Sequence, residues 1–323
     1  MKKWLPAVVL VGAFVGSLYV GATQIENFWS ALFNPGTNEI LWQIRFPRVT
    51  AAVIVGAALG VAGLLAQGAC NNAVAEPAIL GTAAGASFGA VIAISAGLVE
   101  VGTLGAIACG TIGALLTTSL TFKLAAIRSA LSSFTLIIVG IAVSAIFTSF
   151  VGIAAAMVSR ADARSIPFWS LGSLALVTSQ NLVGIAITTA TGIAIAWKIA
   201  PSLDRLSLGD ATAFHLGVNV ARIRLLALIA LSILAGGAVS TVGSIAFIGL
   251  AAPHIARFIY GPSHRKLVAH AAIIGALIVI VADTISRTIA QPNELPIGLA
   301  TALLGAPVLI ALVAIKNNVW RTQ

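Results

Sequence analysis

The stretch that decides the fold runs from Val49 to Ala75 and reads VTAAVIVGAALGVAGLLAQGACNNAVA, without one charged residue. A helix that crosses a membrane needs about 20 mostly apolar residues, at a rise of about 1.5 Å per residue. This stretch is long enough for one crossing. It is therefore predicted to form a membrane-spanning helix.

The rest of the chain has the same character. Of its 323 residues, 8% are charged and 59% are hydrophobic, and the mean hydropathy is +1.06. Soluble domains carry roughly 25% charged residues, so this composition excludes an ordinary soluble protein. Most of the chain must contact lipid or other buried helices. Cys70 and Cys109 lie in or beside apolar segments, and we interpret them as small hydrophobic residues.

Nine uncharged runs follow one another along the chain, at residues 4–25, 49–75, 77–99, 101–122, 129–159, 165–197, 225–256, 267–282 and 295–315. The run 225–256 is too long for one crossing, and the turn-forming residues between Gly236 and Ser244 predict a break in its middle. The sequence therefore predicts an all-α, multi-pass protein of about ten transmembrane helices. We expect residues 1–323 to form a single transmembrane domain.

The charges predict the orientation. Lys2 and Lys3 precede the first apolar run in the manner of a secretory signal, but this run exceeds the usual signal core of about 7–15 residues, so we expect a retained span. With the amino terminus inside, 13 of the 18 Lys and Arg residues fall in cytoplasmic loops. Both termini are therefore predicted to be cytoplasmic. The net charge of +9 is then a topology signal rather than a sign of nucleic-acid binding.

The longest hydrophilic cytoplasmic segment covers residues 201–224. Ser207 and Asp210 are good amino-terminal helix caps, and Gly217 is a natural carboxyl-terminal stop, so we predict a short helix, a turn and a second helix. The functional interpretation is a docking element for a cytoplasmic subunit. The alternative is a solvated loop between spans.

Small and weakly polar residues form one stripe on the fifth span, at Gly140, Ser144, Thr148 and Gly152. Such a stripe is typical of close helix packing. The alternative is that the stripe faces a translocation channel, with Ser132, Ser133 and Thr135 at its inner end. At a dimer axis, close packing and a channel lining are compatible. A weak echo between residues 79–84 and 247–252 fits the inverted repeats of transporters, but decides nothing by itself.

The remaining polar residues argue against chemistry in this chain. Asp283 and Arg287 are spaced to pair on one helical face, and the absence of a second intramembrane carboxylate disfavours a proton relay. None of the four histidines has metal-ligand spacing with a Cys or a carboxylate, so we assign no metal site. No lysine follows a glycine, which excludes a phosphate-binding loop of the Gly-Lys-Ser/Thr type. Any ATP must be hydrolysed by another chain, and no catalytic residue is assigned.

Several ordered motifs resemble one known family. The sequence RFPR at 45–48, the run GAALGVAG at 56–63 and NAVAEPAILG at 72–81 resemble the opening signature of FecCD-type permeases, the membrane subunits of ABC importers for iron chelates, haem and cobalamin. Later motifs follow in the family's order, including LGD at 208–210, GPSHR at 261–265 and ELPIG at 294–298. The resemblance covers roughly residues 40–315.

The resemblance implies the type II ABC importer permease fold in the bacterial cytoplasmic (inner) membrane. It implies a homodimer, or a pair with a paralogue, around a central channel. Two ATPase subunits that use ATP and Mg would lie below it, and an extracytoplasmic substrate-binding protein above it. No cofactor is implied in the permease itself.

The resemblance also assigns roles to individual residues. Arg45, Arg48 and Arg287 correspond to arginines that bind acidic residues of the binding protein, whereas the alternative is an anchor for lipid headgroups. The residues that correspond to the coupling helix, which sits in the ATPase cleft, are Leu208, Gly209, Asp210, Ala211, His215 and Gly217. Those that correspond to the inner gate of the channel are Leu131, Ser132 and Ser133.

The sequence thus predicts a permease that passes an iron chelate, a ferric siderophore, into the cytoplasm by alternating access powered by its ATPase partner. Haem and cobalamin are the alternative cargoes. A gradient-driven secondary transporter is the alternative from another class, and it should show paired intramembrane acids or an ion site.

Overall fold

The structure is a computed structural model that describes residues 5–21, 23–100, 102–127, 133–157, 171–175, 177–291, 293–303 and 305–307. Regular secondary structure within these ranges is entirely helical, which confirms the all-α prediction. The helices are α1 (Leu5–Tyr19), α2 (Phe28–Phe33), α3 (Phe46–Cys70), α4 (Thr82–Ser95), α5 (Leu104–Ala126), α6 (Ser133–Met157), α7 (Ser179–Leu206), α8 (Asp210–His215), α9 (Val220–Val242), α10 (Ile248–Tyr260), α11 (His264–Ser286) and α12 (Ile297–Pro307).

Six helices in the described part of the chain are long and apolar enough to cross a membrane. They are α3 with the π-helical turn that precedes it (Ile40–Cys70), α5, α6, α7, α9 and α11. The apolar helices α1, α4 and α12 are shorter than a usual span. The multi-pass prediction is confirmed, whereas the count of ten spans is not. The first run, predicted over 4–25, is helical over Leu5–Tyr19.

Helix α3 lies at the centre of the bundle and packs against α7, α9, α10 and α11. Its glycines permit this close packing, because a Cβ at Gly56 would overlap the backbone of Gly275 in α11, and one at Gly63 would overlap Gly249 in α10. Small residues let helices in a membrane approach backbone to backbone. The uncharged stretch is therefore the axis on which the other helices pack.

Helix α9 is enclosed in the same way, and its Gly236 packs on Thr111 of α5. The predicted division of the run 225–256 into two helices is confirmed, and the break starts at the carboxyl end of the predicted segment, at Gly243, rather than at Gly236. Helix α9 continues unbroken to Val242, and the chain leaves helical geometry at 243–247. Gly236 therefore makes room for a neighbouring helix and does not start a turn.

Two connections start the next helix from a residue in the left-handed region. Gly81 precedes α4 with φ +88°, and Phe247 precedes α10 with φ +68°. A positive φ is unfavourable for a residue with a Cβ, so Phe247 needs support from its surroundings. These connections contain or adjoin the segments 79–84 and 247–252, whose echo the sequence shows, and both segments lie at the start of a helix.

Candidate functional site

Five charged side chains meet where the amino end of α3 approaches the carboxyl end of α11. We call Arg45, Arg48, Asp283, Arg287 and Glu294 the arginine cluster. Arg48 is bound on two edges: Nε and Nη2 lie 3.0 and 2.9 Å from Oδ1 of Asp283, while Nη1 and Nη2 bind the two carboxylate oxygens of Glu294 at 2.8 and 3.0 Å. Each edge of the guanidinium thus holds one carboxylate, and the Glu294 pair has the parallel, bidentate geometry that favours arginine.

The other two arginines of the cluster are held by the carboxyl end of α1. Arg287 donates to the carbonyl and the hydroxyl of Ser17. Arg45 donates to backbone carbonyls, those of Leu18, Tyr19 and Thr23. The last carbonyls of a helix lack intrahelical partners and carry partial negative charge, so they attract cations. All three arginines are buried as a result.

The predicted pairing of Asp283 with Arg287 is confirmed, with 3.5 Å between the carboxylate and Nε. Arg45, Arg48 and Arg287, which the family resemblance grouped as docking residues, lie together in the fold. Their docking of a binding protein stays a prediction. The pairing of Glu294 with Arg48 was not predicted, because the two residues are 246 positions apart in the sequence.

The predicted two-helix segment forms at the other end of the bundle. Helix α7 ends at Leu206, the short helix α8 follows, and α9 starts at Val220. The predicted amino-terminal caps are wrong, because Gly209 precedes α8 and Asp210 is its first helical residue. Asn219 is the cap that the sequence analysis missed, and its side chain accepts the N–H of Arg222 at the start of α9 over 3.0 Å.

The predicted stop of α8 at Gly217 is confirmed, with φ +78°. The N–H of Gly217 donates to the carbonyl of Phe214, and the N–H of Val218 donates to the carbonyl of Ala213, each over 2.9 Å. This pair of bonds is the Schellman motif, in which glycine takes the left-handed position. The end of α8 is therefore fixed by its own backbone.

Side chains tie this segment to the long helices. Arg224 donates to Asp210 of α8 over 3.0 Å, and its Nε donates to the carbonyl of Ala69 at the carboxyl end of α3 over 3.0 Å. Asp204 of α7 accepts the backbone N–H of His264, at the start of α11, over 2.5 Å. The segment is thus connected directly to α3 and α11 rather than suspended as a solvated loop.

Large apolar side chains around α8 are exposed. Phe214 is 71% exposed, Leu208 63% and Leu216 49%, while Ala213 is buried against the bundle. Exposed apolar groups that lie close together, beside polar and charged residues, are typical of a surface that another protein covers. The sequence analysis named Leu208 but missed Phe214. The helical spacing within α8 could have indicated this, because a helix that buries Ala213 exposes the next residue, Phe214.

The small-residue stripe of α6 divides into two parts. A Cβ at Gly140 would overlap the backbone of Ile79, and the hydroxyl of Ser144 donates to the carbonyl of Ala78 over 3.0 Å. These two residues therefore pack on the connection between α3 and α4. Thr148 and Gly152 are exposed. Of the predicted gate, Leu131 and Ser132 lie outside the described residues, and Ser133 is the first residue of α6.

A partly buried carboxylate, that of Glu76, joins the two left-handed connections. Glu76 accepts the backbone N–H of Phe247 over 3.1 Å and thereby supports its unusual φ. Burial raises the pKa of Glu76 to about 7, although the bond from Phe247 favours the ionised form. Nearby, Gln67 of α3 donates to the carbonyl of Gly249 over 3.3 Å and accepts from Arg257 over 3.0 Å.

The arginine cluster and the α8 segment lie at opposite ends of one helix. Arg48 and Ala69 are 21 residues apart in α3, which corresponds to about 32 Å at 1.5 Å per residue. The hydrocarbon core of a bilayer is about 30 Å thick. A continuous helix of about this length therefore connects the arginine cluster with the exposed apolar side chains around α8. This arrangement is that of a membrane-spanning scaffold with a charged cluster at one end and exposed apolar side chains at the other.

The chain belongs to the FecCD transport family, whose model matches residues 7–315. It is 36% identical to the iron(3+)-hydroxamate import system permease FhuB of Bacillus subtilis, over 92% of this chain and 78% of the relative. It is 35% identical to the hemin transport system permease HmuU of Yersinia pestis, over 95% and 93% of the two chains. It is 32% identical to the vitamin B12 import system permease BtuC of Vibrio cholerae, over 96% and 93%.

The fold has a counterpart among solved structures. A chain assigned to a metal-chelate type ABC transporter, solved in an inward-facing conformation, superposes with a TM-score of 0.84 and 28% identity, over 96% of this chain and 98% of that chain. The protein is therefore a multi-pass permease of an ABC importer of the metal-chelate type. It is a transport component rather than an enzyme.

Among the described residues, no three His, Cys, Asp or Glu side chains come close enough to hold a metal ion. Several polar groups of the bundle bond one another, as in the arginine cluster and in the bonds of Gln67 and Glu76. These contacts orient helices, and their chemistry is that of a scaffold.

Proposed function

We propose that this chain is the permease through which a ferric siderophore enters the cytoplasm. A channel subunit for a bulky cargo should bind it weakly along the path, because strong binding would trap it. Helix α6 has this character: its exposed residues are apolar or weakly polar, and none of its residues is charged. The similarity to a hydroxamate import permease supports the choice of cargo. Haem and cobalamin are the alternatives, supported by the other two relatives.

The partners follow from the two ends of α3. At the α8 end, a separate ATPase subunit would bind the exposed side chains of Leu208, Phe214 and Leu216 and would use ATP and Mg. At the arginine-cluster end, a substrate-binding protein would dock through acidic side chains. This assignment places α8 and both termini in the cytoplasm and the arginine cluster outside. The positive-inside bias of the sequence supports it.

The mechanism is alternating access in a pair of permeases, either two copies or this chain with a paralogue. ATP binding in the ATPase would displace α8, and the bonds of Arg224 and Asp204 would carry this displacement to α3 and α11. Helices α6 and α12 would then tilt across the dimer axis and move the opening from one face to the other. The cargo undergoes no chemical change.

The observation that carries the proposal is the continuous helix α3, whose Arg48 and Ala69 are about 32 Å apart and contact the charged cluster and the α8 segment, respectively. The test is uptake by vesicles that contain the permease with the ATPase and binding protein of the same system. Ferric hydroxamate should accumulate only with ATP inside and the binding protein outside, and vanadate should stop it. Uptake that proceeds without ATP would contradict the proposal.

The cargo is tested on the binding protein of the same system. Titration with a ferric hydroxamate, haemin and cobalamin should give submicromolar affinity for the first alone. Tight binding of haemin or cobalamin instead would correct the cargo and leave the transport mechanism standing. Vanadate-insensitive uptake driven by an ion gradient would support the secondary transporter.

A further inference from the structure

The arginine cluster contains two carboxylates whose surroundings differ sharply. The side chain of Asp283 is 1% exposed and contacts two arginines, Arg48 and Arg287. The side chain of Glu294 is 42% exposed, and its ion pair is with Arg48. A buried carboxylate between two cations is fixed in place, whereas a half-exposed one is already partly hydrated and exchanges its partner more readily.

The backbone around Glu294 does not depend on its carboxylate. The N–H of Leu295 donates to the carbonyl of Ser286 over 3.1 Å, and the N–H of Asn293 donates to the carbonyl of Ala290 over 2.9 Å. The hydroxyl of Ser286 also donates to the carbonyl of Leu295. The connection between α11 and α12 is therefore held on both sides of Glu294, and the side chain can swing out while the backbone stays in place.

The charges of the cluster change when Glu294 leaves. Three arginines and two carboxylates give a formal charge of +1 with Glu294 in place, and +2 without it. The freed edge of Arg48, Nη1 and Nη2, is already aligned to receive two oxygens of one carboxylate, because Glu294 binds it in this way at 2.8 and 3.0 Å. Bidentate recognition by a fixed arginine is selective for planar anions such as carboxylates.

We propose that Glu294 is an exchangeable internal ligand, which occupies Arg48 in the undocked permease and yields this site to an acidic side chain of the docking protein. The inference rests on the proposed docking function. It selects Arg48 among the three arginines, because Arg45 and Arg287 are held by backbone carbonyls of α1 and cannot turn outward without disturbing that helix. Glu294 then sets how tightly the partner binds.

The test measures association of the complete importer, in lipid nanodiscs, with its binding protein. Glu294→Gln should bind the binding protein about three- to tenfold more tightly, because the partner's carboxylate no longer competes with an internal one. Most of the gain should appear in the association rate and should shrink as salt is raised. Glu294→Asp, which keeps the charge but is too short for the same bidentate contact, should show a smaller gain.

Glu100→Gln is the matched control, because it removes the same charge from an exposed residue in the connection between α4 and α5, for which the described residues show no ion pair with the cluster. It should leave the affinity unchanged within about twofold. In the Arg48→Gln background, Glu294→Gln should have no further effect. This result identifies exchange on Arg48 rather than a general electrostatic effect.

The outcomes separate the two proposals. Weaker or unchanged binding by Glu294→Gln, together with a loss of binding by Arg48→Gln, would overturn exchange and leave docking at Arg48 intact. Full binding by Arg48→Gln would overturn the docking role itself. If the gain in Glu294→Gln appeared instead for anionic lipid vesicles without the binding protein, the exchanging partner would be a headgroup and the proposal would be wrong.

Discussion

Asp283 provides the sharpest test of how the arginine cluster holds the helices together. Its carboxylate lies 2.9 Å from Nη2 of Arg48 in α3 and 3.5 Å from Nε of Arg287, and it is 1% exposed. Replacing it by asparagine keeps the size of the side chain and removes the charge. The formal charge of the cluster then rises from +1 to +2, with Glu294 as the remaining acid.

The size of the effect follows from this geometry. Removing one partner of a buried ion pair costs about 3–5 kcal/mol, because the other charge is left buried without compensation. Glu294 still balances Arg48 in Asp283→Asn, so we expect the lower end of this range, about 3 kcal/mol. For a chain larger than 250 residues, this corresponds to a fall of roughly 5–10 °C in the unfolding temperature.

The assay is thermal unfolding of the purified importer in detergent, followed by the loss of monodisperse protein at a fixed heating time. Asp210→Asn is the matched control, because the side chain of Asp210 is half exposed and Arg224 keeps its bond to the carbonyl of Ala69, so the loss should be about 1 kcal/mol or less. Glu100→Gln gives the baseline for an exposed acid. If the unfolding midpoints of Asp283→Asn and Asp210→Asn differed by less than about 2 °C, the argument that the buried pair joins α3 to α11 would be refuted.

Three further predictions address other parts of the fold. Phe214→Ala should reduce binding of the ATPase subunit at least tenfold in a pull-down, since a buried aromatic anchor contributes about 2 kcal/mol or more, whereas Thr212→Ala on the same helix should not. Gly63→Val should abolish the monodisperse peak in size-exclusion chromatography, because its Cβ would overlap the backbone of α10; Gly12→Val, with open space around it, should elute normally. As pH rises from about 4.5 to 7, the unmodified protein should lose stability on the order of 1–3 kcal/mol, because the folded state keeps the proton of Glu76 while the unfolded state releases it. Glu76→Gln should not show this loss. Parallel melting curves of Glu76→Gln and the unmodified protein from pH 4.5 to 8 would contradict this.

The sequence was most informative where one physical requirement dominates. Uncharged runs of about 20 residues have no stable place other than lipid or a helical core, so the multi-pass helical fold was predictable. The end of α8 at Gly217 was predictable for a related reason, since glycine takes the left-handed conformation at least cost. The pairing of Asp283 with Arg287 followed from helical spacing alone.

Residues with two physical uses were predicted less well. Gly236 can start a turn or make room for a helix, and only the proximity of Thr111 in α5 decides between them. Asp210 can cap a helix or pair with a cation, and the presence of Arg224, 14 residues away, decides for pairing. The partnership of Arg48 with Glu294 spans 246 positions, so no local pattern could indicate it.

The same geometry indicates which helix can move during transport. Helix α3 carries Arg48 near one end and the carbonyl bonded by Arg224 at the other, and its glycines are in backbone contact with α10 and α11. Bending it would break several such contacts at once. Helix α6 is mostly exposed on its outer side, and it packs against α4, α5 and, through Gly140 and Ser144, the connection between α3 and α4. A displacement that starts at α8 should therefore leave α3 straight and act on α6 through that connection, where the bond from Phe247 to Glu76 joins the two non-helical segments.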